Sequence, residues 1–206
     1  PFGVLARHGE PQNLKNFWIV HEGVISMADG ELTEIDYDDM PDFEVDPAEG
    51  AQAEVTRVTE NGWIGFTDHY WMTNLIPDPG GTAAISLLYQ RGSDIYQTRT
   101  IHPTQDIAPG ATATTRSHLF AGAEEWEVIK RYEDDLGFVD FVNTVDWGWF
   151  FFLTKPIFRA LHWLNGLIGN MGWAIIALTF LIKAVLCPLA YKSYVSMAKM
   201  KELQPE

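Results

Sequence analysis

The sequence predicts an α+β protein with a membrane segment: an antiparallel β-sandwich domain, then an amphipathic interfacial helix and a transmembrane α-helix. Three observations predict this order. Short β-type segments alternate with turn residues through residues 1–140. Residues 1–150 hold 8 of the 14 basic and 26 of the 28 acidic residues, so that charge is divided sharply along the chain. Residues 171–191 form an apolar stretch of 21 residues with a single charged side chain, Lys183.

The first 140 residues carry the spacing of a sandwich, with short strands every 8–12 residues and turn residues between them. Asp29-Gly30 is a strong hairpin signal between residues 17–27 and 31–37. The first ten or so residues resemble the end of a strand or a loop. Residues 123–132 predict a helix that turns Trp126, Ile129 and Tyr132 toward the sheet. Further strands are predicted at residues 53–58, 62–75, 83–90, 94–102 and 111–120.

Catalysis by this domain is not predicted. Its candidate acid–base groups are scattered, and no pair of them has catalytic or metal-ligand spacing. Asp68 and His69 are adjacent on a predicted strand, so their side chains point to opposite faces. The other candidates are His21, His102 and His118. The acidic loop at residues 36–47 lacks the glycine and glutamate of an EF-hand, which leaves calcium binding as the minority alternative. We therefore expect no enzyme activity, no metal and no cofactor.

Composition limits the partners and the cellular compartment that we expect for the chain. The negative charge of residues 1–150 argues against nucleic acid as a partner. Cys187 is the single cysteine and lies in the apolar stretch, so the outer domain is expected to hold no disulfide, which is compatible with export to a periplasm. The sequence begins at Pro1 without a signal peptide and stops at Glu206 within a charged helical pattern. We expect a fragment of a longer exported chain.

Residues 147–170 predict an amphipathic helix and a corner. Thr154 is positioned to cap the helix and Pro156 to lie in its first turn. Basic groups and tryptophans beside an apolar face predict a helix in the membrane interface, with a second membrane span as the alternative. Gly169 and Asn170 predict the corner. The polar face is Lys155, Arg159 and His162; the apolar face is Leu153, Ile157, Leu161, Leu164 and Ile168; the predicted interfacial anchors are Trp147, Trp149, Lys155, Arg159 and Trp163.

Residues 171–191 predict the transmembrane helix, because 21 helical residues extend about 31 Å, the thickness of the hydrocarbon core. Lys192, Lys199 and Lys201 follow it, and clustered lysines beyond a span mark the cytoplasmic side. Residues 1–170 are therefore expected outside the cytoplasm. Residues 192–206 are expected to begin a cytoplasmic helical region.

Lys183 would lie roughly 12 Å inside the cytoplasmic edge of the membrane, where a charge costs about 2.5–3.5 kcal/mol on insertion scales. Its ammonium could snorkel to the headgroups. Alternatively it faces a wet cavity, because helical spacing places it in a polar row with Thr179 and Cys187 and with Tyr194 further along. Pro188 frees a carbonyl in the same helix, which also needs a partner.

From Phe150 onward the sequence resembles the YidC family of membrane protein insertases, in the YidC/Oxa/Alb superfamily. Residues 61–77 and 132–149 also resemble the end of the large periplasmic domain of its Gram-negative members. The resemblance implies a β-supersandwich periplasmic domain in a protein of the bacterial inner membrane, multi-pass at full length. The residues that carry the resemblance are Pro156, Gly169-Asn170, Gly172, Thr179-Phe180, Lys183, Pro188-Leu189, Ser196 to Met200 and Leu203-Gln204-Pro205.

Members of this family have a basic residue, usually arginine, in a hydrophilic groove open to the cytoplasm and to lipid, and Lys183 occupies that position. The resemblance implies nascent membrane proteins as substrates, with the lipid bilayer, the Sec translocon and the ribosome as partners. The competing hypothesis is a periplasmic ligand-binding or sensor domain tethered by one transmembrane helix. Aromatic side chains could then stack on sugars, although alternate ones are expected to fill the core: Trp63, Phe66, Tyr70 and Trp71. A mutarotase-type enzyme is a third, more distant alternative.

Overall fold

The computed structural model describes residues 2–11, 21–148 and 150–202. The chain divides into two compact units, Pro1–Asp146 and Trp147–Glu206. Each unit has its own helices or sheets and is described separately. Trp149 and the predicted strand residues 17–20 lie outside the described part of the chain.

The first unit is a β-sandwich of two five-stranded antiparallel sheets, which confirms the predicted fold class. One sheet has the order β1-β9-β8-β5-β4 and the other β10-β7-β6-β2-β3. A helix, α1 (Trp126–Leu136), follows the last strand. The strands are β1 (Phe2–His8), β2 (Gly23–Ala28), β3 (Glu31–Asp36), β4 (Val45–Asp46), β5 (Ala51–Val58), β6 (Gly62–Asp68), β7 (Trp71–Pro77), β8 (Ala83–Gln90), β9 (Ile95–Ile101) and β10 (Ser117–Ala123).

Two apolar cores hold this unit, one on each face of the second sheet. Alternation along a strand sends successive side chains to opposite faces, so that Val24 joins the core between the sheets while Ile25 joins the outer core. In the same way Ile64 faces the first sheet and Trp63 the outer core. The outer core is closed by α1 and by a short 3-10 helix, Phe141–Thr144. The sandwich therefore has a third, helical layer over one sheet.

The Asp29-Gly30 hairpin is confirmed. The turn joins β2 to β3, and both residues have positive φ, 49° and 92°, as a two-residue type I′ turn requires. The Asp29 carboxylate accepts hydrogen bonds from the Glu60, Thr59 and Asn61 amides and the Thr59 hydroxyl. These bonds, led by the one from the Glu60 amide, hold the pKa of Asp29 well below its usual range.

The predicted single strand at residues 62–75 is wrong, because the chain forms a hairpin there. Asp68 pairs with Trp71 across a turn made by His69 and Tyr70, so β6 and β7 are separate strands. The turn contains no glycine, proline or asparagine, and the sequence therefore gave no local signal for it. The break also moves Tyr70 from the interior of a strand to the tip of a turn.

Two further elements, one strand and one helix, begin later than predicted. The strand predicted at 111–120 begins only at Ser117 and extends to Ala123, because its pairing with β7 sets both ends. The helix predicted at 123–132 is α1, which begins at Trp126 and ends before Gly137 in the left-handed conformation with φ 72°. Of the residues expected to face the sheet, Ile129 is fully buried, whereas Tyr132 is 38% exposed and contacts the Phe120 ring.

The second unit consists of two helices, α2 (Phe151–Ile168) and α3 (Met171–Glu202). Gly169, in the left-handed conformation with φ 71°, ends α2. The Asn170 side chain then accepts a hydrogen bond from the Trp173 amide at 3.2 Å and so caps α3. The glycine and asparagine thus form the corner that the sequence predicted.

Candidate functional site

The candidate site lies on α3, the one helix of the described chain that is long and apolar enough to cross a membrane. The candidate span, Met171–Met200, is 30 residues long. At 1.5 Å per residue it extends about 45 Å, longer than the hydrocarbon core. The helix is continuous through Pro188 and through the predicted cytoplasmic boundary at Tyr191. Residues 192–202 therefore prolong the same helix.

The predicted polar row lies along one face of α3. Ala174 and Leu178 are buried, and they mark the side of α3 that packs on α2. Thr179 and Lys183 follow on the side turned away from them, and both are exposed. Cys187 and Tyr194 continue the row and are also exposed. The structure thus brings these four residues onto one face, and their role in a groove stays a prediction.

Thr179 does not offer a free donor to this face. Its hydroxyl donates to the Ile175 carbonyl at 2.8 Å, the hydrogen bond to the residue four positions earlier that threonines commonly form inside helices. Lys183, one turn further on, carries the row's only formal charge. The row therefore offers one cation with a thiol one turn away, and the phenol of Tyr194 lies about 16 Å further along the axis.

The helix α2 is amphipathic, as predicted. Lys155, Arg159 and His162, the predicted polar face, fall on one side of α2 at i, i+4 and i+7, and the predicted apolar residues occupy the opposite side. The Lys155 ammonium lies 5.6 Å from the Trp147 ring centre and 5.7 Å from that of Phe151. Arg159 is exposed and Trp163 is 62% exposed. These are side chains suited to a headgroup layer, and their anchoring role stays a prediction.

The predicted start of this helix is wrong. The helix begins at Phe151, so Thr154 lies inside it and Pro156 lies beyond its first turn. The Thr154 hydroxyl lies 2.8 Å from the Trp147 carbonyl oxygen and 2.8 Å from that of Phe150, and it shares its single proton between them instead of accepting from amides as a cap would. The three consecutive phenylalanines extend the helix upstream of the capping signal. Thr154 and Pro156 are typical of a helix start, and for that reason the sequence predicts a later first residue for α2.

The candidate acid–base groups of the sandwich do not assemble into one site. The His21 Nδ1 lies 3.0 Å from an Asp36 carboxylate oxygen, and the His69 Nδ1 lies 3.6 Å from Glu22 rather than beside Asp68. His118 faces Asp78 at 3.6 Å, and burial lowers the pKa of His102. No cluster that could hold a metal ion occurs among the described residues.

Sequence reasoning missed a set of carboxyl groups at one end of the second sheet. The Glu124 carboxyl accepts a hydrogen bond from the Thr67 hydroxyl, and burial raises its pKa. Burial likewise raises the pKa of Glu34. The His21 amide donates to the Asp146 carboxylate at 2.9 Å. These groups come from strands and loops far apart in sequence, and no spacing signal could have linked them.

Comparison with known proteins covers both units. Residues 1–160 match the family model described as the YidC periplasmic domain, and residues 163–206 match that of the 60Kd inner membrane protein. Among curated relatives, the chain is 61% identical over its whole length to a membrane protein insertase YidC of Ruegeria sp. (strain TM1040). It is 62% identical to that of Roseobacter denitrificans and 59% identical to that of Paracoccus denitrificans, again over all 206 residues.

The chain spans about a third of the length of these relatives, 34%, 34% and 32% in turn. Within that third, one family model covers the sandwich and the first part of α2, and the other covers the end of α2 and the membrane helix. The order of a periplasmic domain and an inner-membrane helix agrees with the predicted location and with the predicted resemblance. The chain belongs to the YidC family of bacterial inner-membrane proteins.

Proposed function

We propose that this chain is part of a membrane protein insertase, and that Lys183 attracts acidic residues of the incoming polypeptide. The observation that carries the proposal is the position of this lysine. It follows Met171 by twelve residues on a helix suited to span the membrane, about 18 Å along the axis. A charge kept at this depth despite its insertion cost is a hypothesis of function by default.

The mechanism follows from the solvation of polar groups. A nascent membrane segment carries polar flanks. Moving a polar group without a hydrogen-bond partner from water into hydrocarbon costs roughly several kcal/mol of free energy. A groove that is wet from the cytoplasmic side shortens the dry part of the crossing. The Lys183 ammonium would draw a carboxylate of the translocated flank into this groove, and the membrane potential would then drive the negative charge outward.

The remaining features of α3 support a lateral exit. Thr179, Cys187 and Tyr194 continue the row of Lys183 along one face. Apolar residues beside the row, such as Phe180 at 70% exposure and Leu186 at 52%, offer a surface along which a substrate helix can slide into lipid. No covalent bond is made or broken in these steps. The proposed function therefore needs no catalytic residue and no cofactor.

The proposed substrates are nascent membrane proteins, as the names of the relatives imply. Cooperation with the Sec translocon and delivery from the ribosome belong to the same proposal. Lysine supplies a point charge, whereas arginine supplies a bidentate fork. If attraction of carboxylates is sufficient, lysine and arginine are interchangeable at position 183.

Depletion and complementation of the full-length protein test the proposal. Lys183→Ala is expected to abolish insertion of a Sec-independent substrate, measured by protease accessibility of its translocated flank. Lys183→Arg should restore it, because the charge remains at the same depth. Lys199→Ala is the matched control, since it removes a charge from the same helix near its cytoplasmic end. Insertion by Lys183→Ala at the rate of the unaltered protein would overturn the mechanism.

A further inference from the structure

The turn between β6 and β7 presents two large aromatic side chains to solvent. Tyr70 is 66% exposed and Trp71 is 65% exposed. The other aromatics of the same segment, Trp63 and Phe66, are 1% and 7% exposed and belong to the two cores. Packing of the sandwich therefore explains Trp63 and Phe66 but not the pair at the tip of the turn.

The turn is held in place by contacts on both sides. The Tyr70 carbonyl accepts a hydrogen bond from the Glu124 amide at 2.9 Å. The His69 ring packs edge-on against the Tyr70 ring with centres 4.1 Å apart, and the His69 imidazole faces the Glu22 carboxylate. Trp71 begins β7 and pairs with Asp68 and Ala123. The aromatic pair is thus presented by a fixed backbone, which reduces the entropy that binding would cost.

This turn lies at the same end of the sheet as the last residue of the first unit. The register places the start of β2 beside the end of β6, since Gly23 pairs with Thr67. Just before Gly23, the His21 amide binds the Asp146 carboxylate at 2.9 Å. Burial is the main cause that raises the pKa of Glu124, which binds the Tyr70 carbonyl through its amide, and the negative charge of Asp146 raises this pKa further. Asp146 therefore lies at the end of the sheet that carries Tyr70 and Trp71.

A short linker joins this end of the sandwich to the amphipathic helix. Five peptide steps separate Asp146 from Phe151, where the amphipathic helix α2 begins. A fully extended chain covers at most about 3.5 Å per residue, so these steps span no more than about 17 Å. A helix with basic groups on one face and apolar groups on the other lies at the level of the headgroups. The linker therefore tethers Asp146 within about 17 Å of the start of a helix whose pattern predicts a place in the headgroup layer.

We propose that Tyr70 and Trp71 insert into the outer headgroup layer of the same membrane and form a second contact of the sandwich with lipid. Tyrosine and tryptophan suit this layer because each joins an apolar ring to a hydrogen-bonding tip. The contact is independent of the proposed role of Lys183. It orients the sandwich on the bilayer through a site far along the chain from the membrane helices.

The acidic residues beside the turn decide which lipid headgroup we expect the aromatic pair to contact. Asp68 precedes the turn, Glu124 binds its backbone, and Asp36 and Asp146 lie at the same end of the sheet. An anionic lipid surface repels such carboxylates within a Debye length, whereas a zwitterionic surface does not. The predicted ligand is therefore a zwitterionic headgroup such as phosphatidylethanolamine, with the aromatic tips inserted and the carboxylates left in water.

Photo-crosslinking of the full-length protein in proteoliposomes tests the contact. p-Benzoylphenylalanine replaces Tyr70 in one variant and Glu60 in a matched control. Glu60 is exposed in the turn before β6, and the seven residues of β6 separate the two sites by about 20 Å. Lipid adducts are expected at position 70 and not at position 60. Equal lipid labelling at both positions, or adducts to protein alone at position 70, would overturn the proposal.

Fluorescence provides a second measurement that does not need the photo-reactive group. The chain holds eight tryptophans, and the difference between the unaltered protein and Trp71→Phe isolates the emission of Trp71. This difference emission is expected to be blue-shifted and quenched by brominated phosphatidylcholine. The quenching should weaken when phosphatidylglycerol is added at low salt and recover at high salt. A difference emission that bromine does not quench would overturn the inference.

Discussion

The docking of α1 onto the sandwich depends on one side chain, which gives a sharp prediction. Ile129 is 0% exposed and belongs to the outer core together with Trp63 and Phe141. Ile129→Ala removes three buried carbons among rings that cannot collapse fully into the space. The expected loss is about 2–5 kcal/mol, against about 0.5–1.5 kcal/mol for Ile129→Val.

The next residue supplies the matched control. Lys130 forms ion pairs with Glu133 at 2.9 Å and Asp134 at 2.7 Å, but its side chain is 38% exposed. Surface pairs of this kind contribute about 0–1 kcal/mol, so Lys130→Ala should change little. The two substitutions lie on the same helix and differ chiefly in burial.

Amide hydrogen exchange of residues 126–136 in the intact protein measures the effects of the Ile129 and Lys130 substitutions on the opening of α1. A loss of about 2–5 kcal/mol in the opening free energy corresponds to exchange roughly 30-fold to several thousand-fold faster. Exchange in Ile129→Val should rise by roughly tenfold or less, and in Lys130→Ala by less than that. If Lys130→Ala accelerated exchange as much as Ile129→Ala, the buried contact would not be what holds α1 on the sheet.

Three further predictions follow from the site and the fold. Burial raises the pKa of Glu124, so ionisation of this carboxyl destabilises the folded state as pH rises through the raised pKa. Glu124→Gln should therefore have the larger free energy of unfolding in urea at pH 7. This difference from the unaltered protein should vanish in acid, where Glu124 is protonated. Gly65→Ala would place a Cβ 1.9 Å from a backbone oxygen of the paired strand and should cost about 3 kcal/mol or more, whereas Gly92→Ala meets nothing and should be nearly neutral in the same assay. Exchanging Thr179 and Lys183 moves the ammonium about 6 Å toward the outer end of α3 and should impair insertion in the complementation assay as much as loss of the charge.

Each of these has an outcome that contradicts it. A Glu124→Gln variant that loses stability at neutral pH would show that the ionised carboxylate stabilises the fold. Equal stability of the Gly65→Ala and Gly92→Ala variants would mean that the β6–β7 pairing tolerates a side chain at that position. Full activity of the exchanged lysine variant would mean that depth along the helix is unimportant.

Local signals in the sequence predicted those features that local chemistry decides. The Asp29-Gly30 hairpin requires two residues with positive φ, and this dipeptide supplies them. The strand at residues 83–90 was predicted with the bounds that the structure has. Helical periodicity alone put Thr179, Lys183 and Cys187 on one face of α3. None of these depends on residues distant in the chain.

Strand and helix ends that are set by pairing with a distant strand could not be predicted from local signals. The β6–β7 turn contains histidine and tyrosine, and pairing across it, rather than any turn-forming residue, breaks the strand. The start of β10 is fixed by its register with β7, and the start of α1 follows from where that pairing ends. The pairing partners lie tens of residues away, outside any local pattern.

By itself, the sequence determined the order of the elements, the division of charge and the single charged residue of the apolar stretch at residues 171–191. Only the tertiary structure decided which aromatics of residues 62–77 are core and which are surface, and which carboxyl groups gather beside the turn. The physical reason is that backbone preference and helical periodicity act between neighbours in the chain. Burial and electrostatic environment are set by whichever distant strand or helix packs alongside.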